Sequence, residues 1–168
     1  GFVTKLSSAG LVYKHFGREI VANVLGLDRS DEKVEKIYLK VYKAFIEAVD
    51  AIDNGVNMYD TDAPARYENN TGLSARVNKL NPPWNEPTSP EIYYDQFLKA
   101  VAVTGKEFVD ATKYYGESWI LARDYVVSAL DDATKTHPSG EILKLPCYCP
   151  WKEHLFELES ERGTNPLP

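Results

Sequence analysis

The sequence has few of the residues that hold small domains together through disulfides or metal ions. Its 168 residues include two cysteines, three histidines and one methionine. Cys147 and Cys149 are separated by a single residue, which rarely permits an unstrained disulfide. A zinc site would need two further ligands, and only His154 lies nearby. We therefore expect two ordinary thiols in a reducing compartment.

Positive charge and long apolar runs are also scarce. Acidic residues outnumber basic residues by 25 to 19, so the formal net charge is −6. This balance excludes a protein that coats nucleic acid with a uniformly basic surface, although it leaves room for a local basic patch. No apolar run approaches the roughly 20 residues that a membrane span needs, so we expect no membrane partner.

The first residues, GFVTK, contain neither an initiator methionine nor a signal peptide. We expect the chain to be an internal fragment of a longer protein.

Helical periodicity dominates the sequence and predicts a mainly α fold. The clearest helix covers residues 34–54, where apolar side chains recur at intervals of three and four: Val34, Ile37, Tyr38, Val41, Phe45, Ala48, Val49 and Ile52. One or two further helices are predicted between residues 90 and 133 behind the start signal Ser89-Pro90. Shorter helices are expected at 6–16, 18–25 and 71–80, with Gly17 dividing the first two.

The pattern changes after residues 137–140, which read HPSG. Residues 141–145 and 154–159 are predicted to form short strands, giving a β element near the C-terminus. Because two lone strands cannot make a stable sheet, we divide the chain into a helical part, 1–136, and the start of a second, truncated domain, 137–168.

Two carboxylates are the main candidates for chemistry. Asp50 and Asp53 lie three residues apart at the C-terminal end of the helix over 34–54, where they repel each other and the helix dipole. This arrangement requires a compensating cation, either a lysine or arginine or a divalent metal ion. Arg76, His137 and Lys152 are weaker candidates for phosphate contacts, since each could equally be a surface or turn residue. No serine lies in a recognisable nucleophile motif.

Five strings carry a more specific signal: TKLSSAGLVYKHFG at 4–17, EAVDAIDNG at 47–55, LSARV at 73–77, HPSGEI at 137–142 and CPWKEHLF at 149–156. Together they resemble the melanocyte proliferating gene family, metal-dependent RNA exonucleases related to the Asp-His-His phosphoesterases. The histidine- and aspartate-rich first motifs of that family, which supply most metal ligands, do not occur in this sequence. Its C-terminal Gly-Gly substrate-binding loop is absent too.

The resemblance implies that the chain is the helical C-terminal half of a larger α/β phosphoesterase-like catalytic domain. By the match to Asp53-Asn54-Gly55, it makes Asp53 a metal ligand, with Asp50 as its supporting neighbour. The parent protein would use Mn²⁺ or Mg²⁺ to trim RNA from its 3′ end, in the nucleus and mitochondrion. Arg76, His137 and Lys152 lie in family-like strings without an assigned role.

The fragment alone is expected to be inactive and to hold no metal. It should self-associate or retain the missing upstream half, through faces that include Leu11, Val12, Phe45 and Ile52. The alternative is a helical interaction module without catalysis, whose Tyr- and Trp-rich stripe docks a partner.

Overall fold

The structure, a computed structural model, describes residues 2–163, and every regular element in that range is helical. The mainly α prediction is therefore confirmed. The α-helices are α1 (Ser8–Leu25), α2 (Glu32–Val41), α3 (Glu47–Asp53), α4 (Leu73–Asn78), α5 (Pro90–Glu117), α6 (Ala122–Asp131), α7 (Ala133–Thr136) and α8 (Trp151–Arg162). A π-helical turn, Tyr42–Ile46, joins α2 to α3, and a 3₁₀ turn, Trp119–Leu121, precedes α6.

Two compact units share the chain, Gly1–Thr112 and Lys113–Pro168. The division falls within α5, which runs through both Gly105 and Gly116 and ends at Glu117. The predicted domain boundary between residues 136 and 137 lies inside the second unit.

In the first unit, α1 is one helix, not the two pieces predicted on either side of Gly17. Gly17 is buried, and a Cβ there would lie 2.7 Å from the Tyr38 ring and 2.9 Å from the Tyr13 ring. These rings stack with centroids 4.9 Å apart, and the Tyr13 hydroxyl donates to the Tyr38 carbonyl. Because Tyr38 lies on α2, Gly17 is needed for the close packing of α1 against α2. The helix ends at Gly26, whose φ is 63°.

The predicted helix over 34–54 is confirmed as a continuous helical run from Glu32 to Asp53. Asp31 caps its start, with its side chain accepting a hydrogen bond from the Lys33 backbone N–H. The π turn in the middle was not expected. A π turn takes one residue more than an α turn, so an uninterrupted α pattern misplaces the side chains after it by one position, or about 100°.

This change of phase corrects the predicted buried stripe beyond residue 41. Before the π turn, Val34, Ile37 and Val41 are buried as the pattern predicts. From the last residue of the turn onward, the buried positions include Ile46 and Asp50, neither of which belonged to the predicted apolar stripe, while Ile52 is 60% exposed. The inward-facing carboxylate of Asp50 therefore comes from outside the face of the helix that the pattern predicted to be buried.

In the second unit, α6 packs against α8, and the predicted β element is wrong. Residues 141–145 have no regular structure, and residues 154–159 lie within α8. The buried positions of α8 are His154, Leu155, Leu158 and Glu159, which recur at helical intervals and not at the period of two that a strand requires. Leu155 and Leu158 contribute to a small core with Val126 of α6.

His154 is the most deeply buried polar side chain of this core. Its Nε2 lies 2.8 Å from the Trp119 carbonyl oxygen, and the two rings have centroids 4.2 Å apart. Burial lowers the pKa of His154, which favours the neutral ring that donates to this carbonyl.

The two thiols are free as predicted, Cys147 exposed and Cys149 buried.

Replacing Gly17 with alanine tests the close packing of α1 against α2. We expect Gly17→Ala to lower the free energy of unfolding by about 1–3 kcal/mol, because the new methyl group overlaps two buried rings. The measurement is urea denaturation followed by circular dichroism. Gly105→Ala is the matched control, since this exposed helical glycine has nothing within 4 Å of the added methyl. It should raise stability by about 0.5–1 kcal/mol, and equal effects of both substitutions would contradict the packing.

Candidate functional site

The Asp50 carboxylate is fully buried and accepts hydrogen bonds from two other elements. Its Oδ1 accepts from the Ser7 backbone N–H at 2.9 Å and from the Ser7 hydroxyl at 2.6 Å. Its Oδ2 accepts from the Tyr42 hydroxyl at 2.9 Å. Burial and the adjacent carboxylate together raise the pKa of Tyr42 to about 12, so the hydroxyl remains a donor at neutral pH.

Ser7 connects this carboxylate to the start of α1. Its Oγ accepts a hydrogen bond from the Gly10 backbone N–H at 3.2 Å, which makes it the N-cap of the helix. A Cβ on Gly10 would lie 2.3 Å from both oxygens of Asp50, so only glycine leaves room for the carboxylate. Asp50 thus lies against the positive end of a helix dipole.

The hydrogen bonds to Asp50 offset the repulsion that is expected between two acidic residues at one helix end. The expected compensation was a lysine, an arginine or a metal ion. The donors observed on Asp50 are neutral: a backbone amide, a serine hydroxyl and a tyrosine hydroxyl. Their three hydrogen bonds, together with the α1 dipole, stabilise a carboxylate at this position.

Asp53 lies in a different environment although it is only three residues away. Its side chain is exposed at the last position of α3. The chain then turns sharply: Gly55 adopts φ 67°, and the Val56 N–H donates to the Ala51 carbonyl at 2.8 Å. This Schellman-type ending fixes the helix end that carries Asp53.

A cleft of about 570 Å³ runs along the π turn and α3 in the first unit. Its lining is mostly apolar and includes Phe45, Ile52 and Met58, with Arg76 and Glu107 among its polar residues. The described residues that line this cleft include neither Asp50 nor Asp53. Asp53 is therefore exposed outside this cleft.

The candidate phosphate contacts are divided between the two units. Arg76 lies in the first unit, where its guanidinium makes a two-point ion pair with Glu107 and donates to the Thr71 carbonyl. In the second unit, His137 Nδ1 lies 2.8 Å from Ser139 Oγ in the turn before Gly140. Lys152 is exposed on the first turn of α8.

Of the two predicted metal ligands, Asp53 is exposed and Asp50 is buried. Mn²⁺ and Mg²⁺ prefer oxygen ligands, and the exposed Asp53 carboxylate offers two oxygens of that kind. Asp50 uses both of its oxygens in hydrogen bonds. Within residues 2–163, no three His, Cys, Asp or Glu side chains are grouped closely enough to hold a metal ion. A metal at Asp53 would therefore need ligands from outside the described residues.

Sequence reasoning placed Asp50 correctly on the helix but missed its partners. Ser7, Tyr42 and Gly10 carry no local signal that points to Asp50. The contact between residues 7 and 50 spans 43 positions, and no local pattern encodes such a pairing.

A family model named MYG1_exonuc, described as "Uncharacterised protein family (UPF0160)", matches residues 1–167. The chain belongs to the MYG1 family. This match confirms the predicted resemblance to the melanocyte proliferating gene family. MYG1 relatives include the MYG1 protein of Dictyostelium discoideum, 48% identical over 96% of the chain and 48% of the relative.

Two mammalian relatives are named MYG1 exonuclease. That of Mus musculus is 47% identical over 94% of the chain and 41% of its own length. That of Homo sapiens is 45% identical over 97% of the chain and 42% of its own length. The chain therefore spans about half, or somewhat less, of the curated MYG1 proteins that it matches. No solved structure matches it. None of the helices within residues 2–163 has the length and apolar character to cross a membrane.

Substitutions at the two aspartates should separate their roles. We expect Asp50→Ala to lower the free energy of unfolding by about 3 kcal/mol or more, because hydrogen bonds to a charged group contribute about 1.5–3 kcal/mol each. Chemical denaturation measures the change. Asp53→Ala is the matched control on the same helix, and we expect no loss of stability because its exposed charge faces the negative end of the dipole. A larger loss for Asp53→Ala than for Asp50→Ala would contradict the assignment.

Proposed function

We propose that the full-length protein is a Mn²⁺- or Mg²⁺-dependent nuclease that trims RNA from its 3′ end, and that this chain contributes Asp53 as a metal ligand. The observation that carries the proposal is the 45–47% identity with mammalian proteins named exonuclease over almost the whole chain. The exposed carboxylate at the matched Asp53-Asn54-Gly55 string supports it. By the same family resemblance, the protein acts in the nucleus and mitochondrion.

A divalent ion bound in the full-length protein would activate water and offset charge on the phosphate. The chain's own part is to present one carboxylate in a fixed place. Asp50 and Ser7 hold α3 against the start of α1, and Gly55 ends the helix directly after Asp53. Asp50 thus acts as a structural support for its neighbour, and Asp53 remains available to a ligand.

The isolated chain should be inactive and bind Mn²⁺ weakly. Two-metal catalysis needs ions about 3.5–4 Å apart, held by several carboxylate and imidazole ligands. Asp53 alone cannot supply that set, and Asp50 is committed to its hydrogen bonds.

Arg76, His137 and Lys152 stay secondary candidates for contacts to substrate phosphates in the full-length protein. Lys152 is exposed and can meet a phosphate directly. Arg76 would first have to leave the Glu107 carboxylate, and His137 would have to leave its turn with Ser139. Lys152 is therefore the most accessible of the three.

An RNA degradation assay with Mn²⁺ tests the proposed function. We expect the full-length protein to degrade RNA, its Asp53→Ala variant to lose most of that activity, and the isolated chain to show none. Asp95→Ala is the matched control, because Asp95 is an exposed aspartate on another helix of the first unit. It should retain wild-type activity.

Full activity in Asp53→Ala, or robust activity in the isolated chain, would contradict the proposal. Unchanged thermal unfolding of Asp53→Ala is needed to assign its loss of activity to chemistry and not to folding.

The second candidate function is protein interaction without catalysis. The observation that favours it lies on the first three turns of α5, where six large apolar side chains are 39–61% exposed: Ile92, Tyr93, Tyr94, Phe97, Leu98 and Val101. We call this set the α5 patch. Contiguous apolar surface of this kind is typical of an interface. The exposed Asp53 fits an interaction module as well as it fits an incomplete active site, so the RNA assay separates the two functions.

The α5 patch also leads us to expect self-association of the isolated chain. Light scattering coupled to gel filtration should show a mass that rises with protein concentration. Phe97→Ser should reduce this association, since Phe97 is 60% exposed and its loss removes apolar area. Trp84→Ser is the control, because Trp84 is 97% exposed and lies outside the patch. A monomer at every concentration would contradict the expectation.

A further inference from the structure

Residues 4–7, which we call the strap, cross one face of the helical run that ends at Asp53. The strap contacts helix positions 47, 50 and 54, which succeed one another at intervals of three and four and so lie on one face. The hydrogen bonds pair Thr4 with Glu47, Ser7 with Asp50, and the Lys5 carbonyl with Asn54.

Asn54 forms the last of these links, directly after Asp53. Its side-chain nitrogen donates to the Lys5 carbonyl at 2.9 Å and to the Asp50 carbonyl at 2.9 Å. An amide nitrogen has two hydrogens, so both are used. The Asn54 backbone, with φ −93° and ψ 4°, is open to any residue except proline. The side chain's donor pair is therefore what distinguishes asparagine at this position.

We infer that Asn54 is a positioning residue for Asp53: it ties the end of α3 to the strap and so fixes where the Asp53 carboxylate lies. The inference rests on the proposed function, in which Asp53 is a metal ligand. It adds a residue that touches neither metal nor substrate and acts through its neighbour.

The need for such a link follows from the geometry of a helix end. The last carbonyls of a helix lack partners within the helix, and its last turn frays. The Schellman-type turn at Gly55 restrains the backbone locally, whereas Asn54 anchors it to a segment 49 positions away. Metal ligands must be held within about 0.5 Å of their working geometry. The loss of a residue that hydrogen-bonds a metal ligand directly typically lowers metal affinity by about 10–100-fold, and for Asn54, which acts through the backbone, we take the lower end of that range.

Two substitutions at Asn54 separate its long-range link from its local one. Asn54→Ala removes both hydrogen bonds. Asn54→Ser keeps a hydroxyl that can donate to the Asp50 carbonyl four residues back, but this side chain is too short to reach the Lys5 carbonyl as well. Asn85→Ala is the matched control, because Asn85 is an exposed asparagine in another loop.

The experiment measures Mn²⁺ affinity of the full-length protein by the electron paramagnetic resonance signal of free Mn²⁺, alongside thermal unfolding in EDTA. We expect both Asn54 variants to bind Mn²⁺ about tenfold or more weakly than wild type. Asn54→Ser should unfold at the wild-type temperature, and Asn85→Ala should match wild type in both measurements.

Three outcomes test the positioning role of Asn54 and the metal-ligand role of Asp53 separately. Weakened Mn²⁺ binding in folded Asn54→Ser, together with lost binding in Asp53→Ala, supports the positioning role. Lost binding in Asp53→Ala with wild-type affinity in both Asn54 variants overturns that role and leaves the proposed function intact. Wild-type Mn²⁺ affinity in Asp53→Ala overturns both.

Discussion

The buried carboxylate of Asp50 is the contact on which the arrangement of the first unit depends. A carboxylate removed from water is costly unless each oxygen meets a donor. Here the donors come from two places, Ser7 before α1 and Tyr42 in the π turn. The same contact therefore fixes the start of α1, the end of the long helical run and the glycine at position 10, where no larger residue fits.

Two carboxylates on one helix end thus have separate tasks. Asp50 faces inward and both of its oxygens accept hydrogen bonds, whereas Asp53 is exposed and is the residue that we propose as a metal ligand. If Asp53 binds a metal ion as proposed, the burial of Asp50 supplies the rigidity that such a ligand requires, because an exposed side chain on a fraying helix end samples many directions. In this MYG1 chain the support is complete within the described residues, while the metal site that it would serve is not.

Helix locations were predictable because periodicity and end signals agree. The helix predicted over 34–54 ends in the structure at Asp53, within one residue of the prediction, and Ser89-Pro90 begins α5. Three features were not predictable from local pattern. Gly17 resembles a helix stop but serves packing, the spacing of residues 154–159 in α8 was mistaken for strand alternation, and the π turn shifted the buried face onto a charged residue.

Because of the π turn at Tyr42–Ile46, the long helical run can lose a residue at some positions but not at others. Deleting one residue from an ordinary α segment rotates everything beyond it by about 100°, which would swing Asp50 away from Ser7. A π turn already contains one residue more than an α turn. Loss of a residue there, with Tyr42 retained, would restore an ordinary helix and keep Asp50 in register. Natural variation in the length of this helix should therefore be confined to that turn.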